Sequence, residues 1–217
     1  MIPSIIWNCR GISNLETQFY IASLIRQYRL GIVGLIEPMI SSDCIQPLLR
    51  RLGMDYFHSN PTNHIWLFWT RPYSMELLVE GSQYITMTVQ DLTQEFTFSV
   101  IYASHRSEER ETLWADLVQY VRDYPTLVES PWYLAGDFNC VCNTSERQGE
   151  RIPRARNMET FNDCIFRLAL IEPPTSGEVD ALQKELAEVE RLLQARYLNA
   201  TWEKRSRVRD QLDEVVR

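Results

Sequence analysis

The sequence predicts a mixed α/β fold, with sheets and helices in separate layers. Short β-branched and aromatic runs alternate with segments of helical periodicity along most of the chain. Several neighbouring strand-like runs read as antiparallel pairs. No G-x-G-x-x-G follows the first strand, which argues against a purely parallel Rossmann sheet.

Taken in order, PSIIW at 3–7 is a short buried strand ending at Asn8. SNLE at 13–16 is a capping box, with Ser13 as the cap and Glu16 reciprocating. It opens a helix to about Arg29, whose Phe19, Ala22 and Ile25 recur at helical spacing. GIVGLI at 31–36 is β-branched and stops at Glu37-Pro38, so it reads as a second buried strand. A helix over 41–52 and strands near 55–58 and 65–69 follow. SQYITMTVQ at 82–90 alternates polar and apolar residues, as a strand with one solvated face does, and FTFSVIY at 96–102 is the next strand. Residues 108–123 form an amphipathic helix with Leu113, Leu117 and Val121 inward. WYLAG is a further strand, and a helix near 157–170 buries Phe161, Ile165 and Leu168.

A length of 217 residues suits one domain, or one domain with an appendage, and 45% hydrophobic residues suffice for a substantial core. No apolar run approaches the roughly 20 residues of a membrane span. The N-terminus MIPSIIWNCRG lacks the basic start and small-residue cleavage site of a signal peptide. These features predict an intracellular protein, of nucleus or cytoplasm, with no membrane partner. The five cysteines are scattered, and Cys140 and Cys142 are separated by one residue rather than the two of a zinc knuckle. Reduced structural thiols are expected.

A formal net charge of -7 argues against gripping nucleic acid by bulk electrostatics alone. The charge is unevenly spread: residues 1–174 carry 14 Arg, no Lys and 20 acids, whereas Lys184 and Lys204 both lie beyond. This shift sets a boundary near Pro173-Pro174, between a domain over 1–174 and a segment over 175–217.

Polar residues stand where buried strands emerge. Asn8 follows IIW, Glu37 follows IVGLI, Tyr102 ends FSVI, and Asp137 follows WYLAG with Asn139 two residues on. Rigid strand ends can hold such groups in one pocket. The types suit metal-assisted phosphodiester cleavage. Glu37 and Asn8 offer hard oxygen ligands for Mg²⁺, and Asp137 suits the orientation or deprotonation of a water. Asn139 offers a donor to phosphorane oxygens, and Tyr102 a donor to a phosphate oxygen or to Asp137. Singly, each has a plainer reading: Asn8 as a turn residue, Glu37 as a solvated acid, Tyr102 as an amphipathic core residue, GDFN as an Asx-turn.

These residues lie within IIWNCRGI, LIEP, HIWLFW, VIYASHRSEERETLWADL, PWYLAGDFNCVCNTSERQG and METFNDCIFRLALIEPP. Together, over about residues 3–174, these segments resemble the endonuclease/exonuclease/phosphatase family. More closely, they resemble the endonuclease domain of plant non-LTR (LINE-type) retrotransposons. The resemblance implies a four-layer α/β sandwich, a Mg²⁺ (or Mn²⁺) site, and a nick in target DNA that primes reverse transcription. Residue by residue it maps Asn8 and Glu37 to metal ligands. It maps Tyr102, Asp137 and Asn139 to phosphate-binding and water-activating positions.

One departure stands out. Family members continue past the stretch that is LALIEPP here into strands ending in a Ser-Asp-His motif, which supports the metal site and acts on the scissile phosphate. No Ser-Asp-His occurs in these 217 residues. The chain passes instead to VDALQKELAEVERLL, similar to the helical connector that precedes the reverse transcriptase in intact elements. An internal deletion, or a gene model joining two exons, accounts for the jump. The expectation is an incomplete sandwich, a remnant with weak or absent activity, an open sheet edge and uncovered apolar faces. His105, three residues after Tyr102 and just past the strand, has a place from which to face the cleft but also a plainer reading as a loop histidine, and His58 and His64 flank the SNPTN turn. None of them is assigned as a replacement base.

Arg147, Arg151, Arg154 and Arg156 form a basic loop after GDFN, suited to backbone phosphates or to plain solvation. In the tail, TSGE at 175–178 is a second capping box. Val179, Leu182, Leu186, Val189 and Leu193 then make an a/d seam. That seam supports an alternative function, a non-catalytic interaction protein that self-associates through residues 179–193 as a coiled coil.

Overall fold

The computed structural model describes residues 2–125, 131–146 and 154–172. The elements run β1 (Ser4–Asn8), α1 (Leu15–Tyr28), β2 (Ile32–Ile36), α2 (Ile45–Leu52), β3 (Tyr56–Ser59), β4 (Ile65–Trp69) and β5 (Ser74–Glu80). They continue with β6 (Tyr84–Gln90), β7 (Glu95–Tyr102), α3 (Ser107–Asp123), β8 (Trp132–Asp137) and α4 (Ala155–Arg167). Among the described residues the strands form two four-stranded sheets, ordered β1-β2-β4-β3 and β5-β6-β7-β8. Each sheet holds one parallel pair: β1 with β2, ending at Asn8 opposite Ile36, and β7 with β8, ending at Tyr102 opposite Asp137. The other pairings are antiparallel.

The two sheets share a core, because alternate residues of each strand point to one face. Ile32, Ile36, Ile65, Leu67 and Trp69 of the first sheet meet Met75, Ile85, Met87, Val89, Phe98 and Val100 of the second. The intervening residues of the first sheet (Trp7, Val33, Leu35, Trp66, Phe68) are also buried. Here α1 lies against the sheet, with Trp7 and Tyr20 in an edge-to-face contact, and α2 packs beside α1. On the far side of the second sheet, Ile101 and Leu134 join Leu113, Trp114 and Leu117 of α3 and Phe161 and Cys164 of α4. The order is helix, sheet, sheet, helix, the expected four-layer mixed α/β arrangement. The inward positions of Leu113, Leu117, Val121, Phe161, Ile165 and Leu168 agree with the sequence reading.

Several local expectations need correction. Asn14, not Ser13, caps α1: its Oδ1 accepts from the Thr17 amide at 2.7 Å. Phe19 is 57% exposed, outside the buried stripe of Ile21, Ala22, Leu24 and Ile25, and lies under the Arg51 guanidinium. The helix over 41–52 divides into a 3-10 turn at Ser42–Cys44 and α2. Strand β5 lies where the sequence predicts no strand. A register shift between Leu77 and Val79 breaks its alternation, which removes the period-2 signal. Cys9, Cys140, Cys142 and Cys164 carry thiols rather than disulfides. No helix among the described residues is long and apolar enough to cross a membrane. The helical connector and the 179–193 seam lie outside the described residues.

Candidate functional site

Each parallel pair ends two strands on the same side of its sheet, and β1 and β8 come into contact. Side-chain alternation then decides which terminal residues face inward. Asn8 has the parity of Ile6, Tyr102 that of Val100, and Asp137 that of Ala135, all of which border the shared core. The result is one hydrogen-bonded cluster. The Asn8 Nδ2 donates to Glu37 Oε1 at 3.1 Å and to Asp137 Oδ2 at 3.0 Å. The Tyr102 hydroxyl donates to the same Glu37 Oε1 at 2.6 Å, across the two sheets.

Glu37 is clamped through its backbone as well. Its N–H donates to His64 O at 2.9 Å and its carbonyl accepts from the Gly11 N–H at 2.8 Å, which holds it at φ 54. Asn139 is likewise left-handed, at φ 45. A non-glycine residue keeps such a conformation only where its surroundings over-determine it. The loop after β8 is an Asx-turn: the Asn139 N–H donates to Asp137 Oδ1 at 3.0 Å, while the other carboxylate oxygen receives Asn8. The turn reading of GDFN therefore holds, with Asp137 also bonded to Asn8. One Asn139 Nδ2 hydrogen bond goes to Ala103 O at 2.7 Å, which leaves its second N–H for a ligand. Gly136 permits a close approach to β7, since a Cβ there would lie 2.0 Å from Ile101 O.

Tyr102 is held well above the ordinary tyrosine value. Burial is the largest cause, followed by its hydrogen bond to Glu37 and the fields of Glu37 and Asp137, with Arg10 opposing. Its proton is thereby fixed as a donor. Beside it opens a cleft of ≈ 670 Å³ lined by Glu37, Tyr102, Ser41, Asn63, His64 and His105, among others. His64 sets its ring edge-to-face on Tyr102 at 5.7 Å. His105 lies on the cleft three residues past the end of β7, a position the sequence left open, whereas the placement of His64 was not legible because it sits in a turn before β4. Of the basic loop, Arg147 and Arg151 lie outside the described residues. Arg156 pairs with Glu111 of α3 at 3.2 Å, and both groups are exposed. Arg154 occupies the N-cap position of α4 without a side-chain cap bond.

The donor set fits a hard divalent cation. Two carboxylates, Glu37 and Asp137, converge on a single amide, a like-charge approach that bound positive charge relieves. Among the described residues no three or more His, Cys, Asp or Glu side chains cluster as a metal cage. Mg²⁺ needs none, since it is held through one or two carboxylates and keeps much of its water. Turning the Asn8 amide over would direct its oxygen where Nδ2 now lies.

The fold is similar to that of endonuclease/exonuclease/phosphatase proteins. Solved structures similar to this chain include the following three. The AP endonuclease LMAP from Leishmania major aligns with TM-score 0.60 and 12% identity, covering 77% of this chain and 66% of that one. The endonuclease domain of TRAS1, a telomere-specific non-LTR retrotransposon, aligns with TM-score 0.52 and 12% identity, covering 77% and 72%. The human Nocturnin catalytic domain aligns with TM-score 0.47 and 22% identity over 64% and 65%, so the chain spans just under two thirds of its length. No family model matches the chain, and no curated protein matches it.

Proposed function

We propose that this chain carries the metal- and phosphate-binding part of a Mg²⁺-dependent DNA endonuclease site of retrotransposon (LINE-type) kind. The observation that carries this reading is the Asn8–Glu37–Asp137–Tyr102 cluster at the joined ends of the two parallel strand pairs. Its setting in a fold similar to two endonucleases supports it. Glu37 and Asn8 would hold the metal, which supplies Lewis-acid stabilisation of charge on the phosphate oxygens. Asp137, fixed by its Asx-turn, orients and deprotonates an attacking water. The free Asn139 N–H donates to the phosphate, and the Tyr102 hydroxyl keeps Glu37 in place. Arg154 is the described basic-loop residue best suited to a flanking backbone phosphate.

Because no Ser-Asp-His occurs in the chain, binding of Mn²⁺ or Mg²⁺ should outlast catalysis, and DNA nicking should be weak. The test pairs calorimetric Mn²⁺ binding with Mg²⁺-dependent nicking of supercoiled plasmid. Wild-type chain should bind Mn²⁺ and Glu37→Ala should not. Equal Mn²⁺ binding by both would refute the site. Robust nicking, abolished in Glu37→Ala, would refute the remnant reading and leave a complete enzyme.

A further inference from the structure

The turn between β3 and β4, Asn60-Pro61-Thr62-Asn63-His64, contains one of the few polar side chains among the described residues that are almost completely buried. Asn60 is 2% exposed, and both ends of its amide are used. The Oδ1 accepts from the His64 and Ile65 amides, each at 3.0 Å, which closes the hairpin. The Nδ2 donates to Thr62 Oγ1 at 2.8 Å, to Gly81 O at 3.1 Å and to Ser82 O at 3.0 Å. Gly81 and Ser82 lie in the β5–β6 turn of the other sheet, and closing a hairpin in the first sheet requires no bond to them.

Both ends of this bridge lead to the site. His64, held by Oδ1, gives its carbonyl to the Glu37 N–H at 2.9 Å. Gln83, next to Ser82, gives its carbonyl to the Tyr102 N–H at 2.8 Å. The backbones of Glu37 and Tyr102 therefore rest on the two turns that Asn60 joins, and their side chains meet at 2.6 Å across the sheets. Exposed Thr62 reinforces the link, its Oγ1 donating to Ser82 O at 3.0 Å. We infer that Asn60 is a positioning residue that couples the two sheets so that Glu37 and Tyr102 meet in register. Its effect on metal affinity rests on the function proposed above, whereas the coupling itself does not.

Asn60→Asp separates the two ends of the bridge. It keeps the acceptor for His64 and Ile65 but sets a carboxylate oxygen against the Gly81 and Ser82 carbonyls. Thr62→Val is a milder second variant from an exposed position. Thr86→Val is the control: it removes the buried Thr86–Ser99 bond (2.8 Å) of the second sheet and touches neither turn. Amide hydrogen exchange of Glu37 and Tyr102 is read by NMR and Mn²⁺ affinity by calorimetry. Asn60→Asp should speed both exchange rates and weaken Mn²⁺ binding, each about tenfold. Thr62→Val should move both readouts the same way by less. Thr86→Val should lower thermal stability and leave both at wild-type values. If Asn60→Asp or Thr62→Val behaved like Thr86→Val, the inference would be overturned. If wild type bound no Mn²⁺ while Asn60→Asp still accelerated both amides, the coupling would stand and the metal-site reading would fall.

Discussion

Replacing Gly136 by alanine tests the route by which strand pairing sets the site. Gly136 has φ 148 and sits opposite Ile101 in the β7–β8 ladder. An added Cβ would lie 2.0 Å from Ile101 O and 2.8 Å from both the carbon and the nitrogen of that residue. All three are backbone atoms, so β8 must move away from β7 by more than an ångström to regain ordinary contact. The unfavourable φ costs about 1–3 kcal/mol, and two disrupted ladder hydrogen bonds add about 1 kcal/mol each. A loss of about 3–5 kcal/mol is expected, a large share of a stability of about 5–15 kcal/mol. Asp137 is the next residue, so the same movement draws its carboxylate from the 3.0 Å bond to Asn8 and should weaken Mn²⁺ binding. Urea denaturation followed by tryptophan fluorescence gives the first quantity and calorimetry the second. Gly53→Ala is the comparison, since φ there is 72 and a Cβ would meet nothing within 4 Å. Its cost should be only about 1–2 kcal/mol, the backbone term alone. A Gly136→Ala chain no less stable than Gly53→Ala would refute the argument.

Other perturbations probe the charges and the core. Glu37→Gln should weaken Mn²⁺ binding at least about tenfold while shifting stability by no more than about 1 kcal/mol, because it also relieves repulsion with Asp137; a calorimetric titration and a urea curve check the two halves. Tyr102 is raised above its unfolded value, so its contribution to stability is complete below about pH 10 and is lost as pH rises through the folded value. The decline in urea midpoint between about pH 9 and 11 should therefore be shallower in Tyr102→Phe. Burial pushes the Cys164 thiol up to about 12, so a thiol reagent at pH 8 should modify it only as fast as the native state opens, and fast labelling would contradict its packing under Trp114. Phe68, fully buried, should cost about 3–5 kcal/mol as Phe68→Ala, whereas exposed Phe19→Ala should cost less than about 1 kcal/mol, both from urea unfolding.

Much of this architecture is legible in the chain because it depends on local periodicity. PSIIW, GIVGLI, IWLFW and FTFSVIY carry the β-branched and aromatic runs of strands that are covered on both faces. Leu113, Leu117 and Phe161 show the helical repeat of the outer layers. Signals failed where local chemistry competed or the repeat broke. Ser13 and Asn14 both suit a cap, and geometry alone selected Asn14. Strand β5 hid behind its register shift, and Phe19 shared helical spacing with buried residues yet fell just outside the covered face.

The sequence by itself determined which residues end buried strands and what chemistry Asn8, Glu37, Tyr102, Asp137 and Asn139 can offer. Those properties reside in single side chains and in the alternation along each strand. Only the tertiary structure decided that β1 pairs parallel with β2 and β7 with β8, that the two pairs end together, and that Tyr102 bonds Glu37 rather than Asp137. It also placed His64 and His105 on the cleft and made Asn60 a bridge. These facts depend on sheet order and on contacts between distant segments, which no local pattern encodes: 29 residues separate Asn8 from Glu37, 65 separate Glu37 from Tyr102, and 129 separate Asn8 from Asp137.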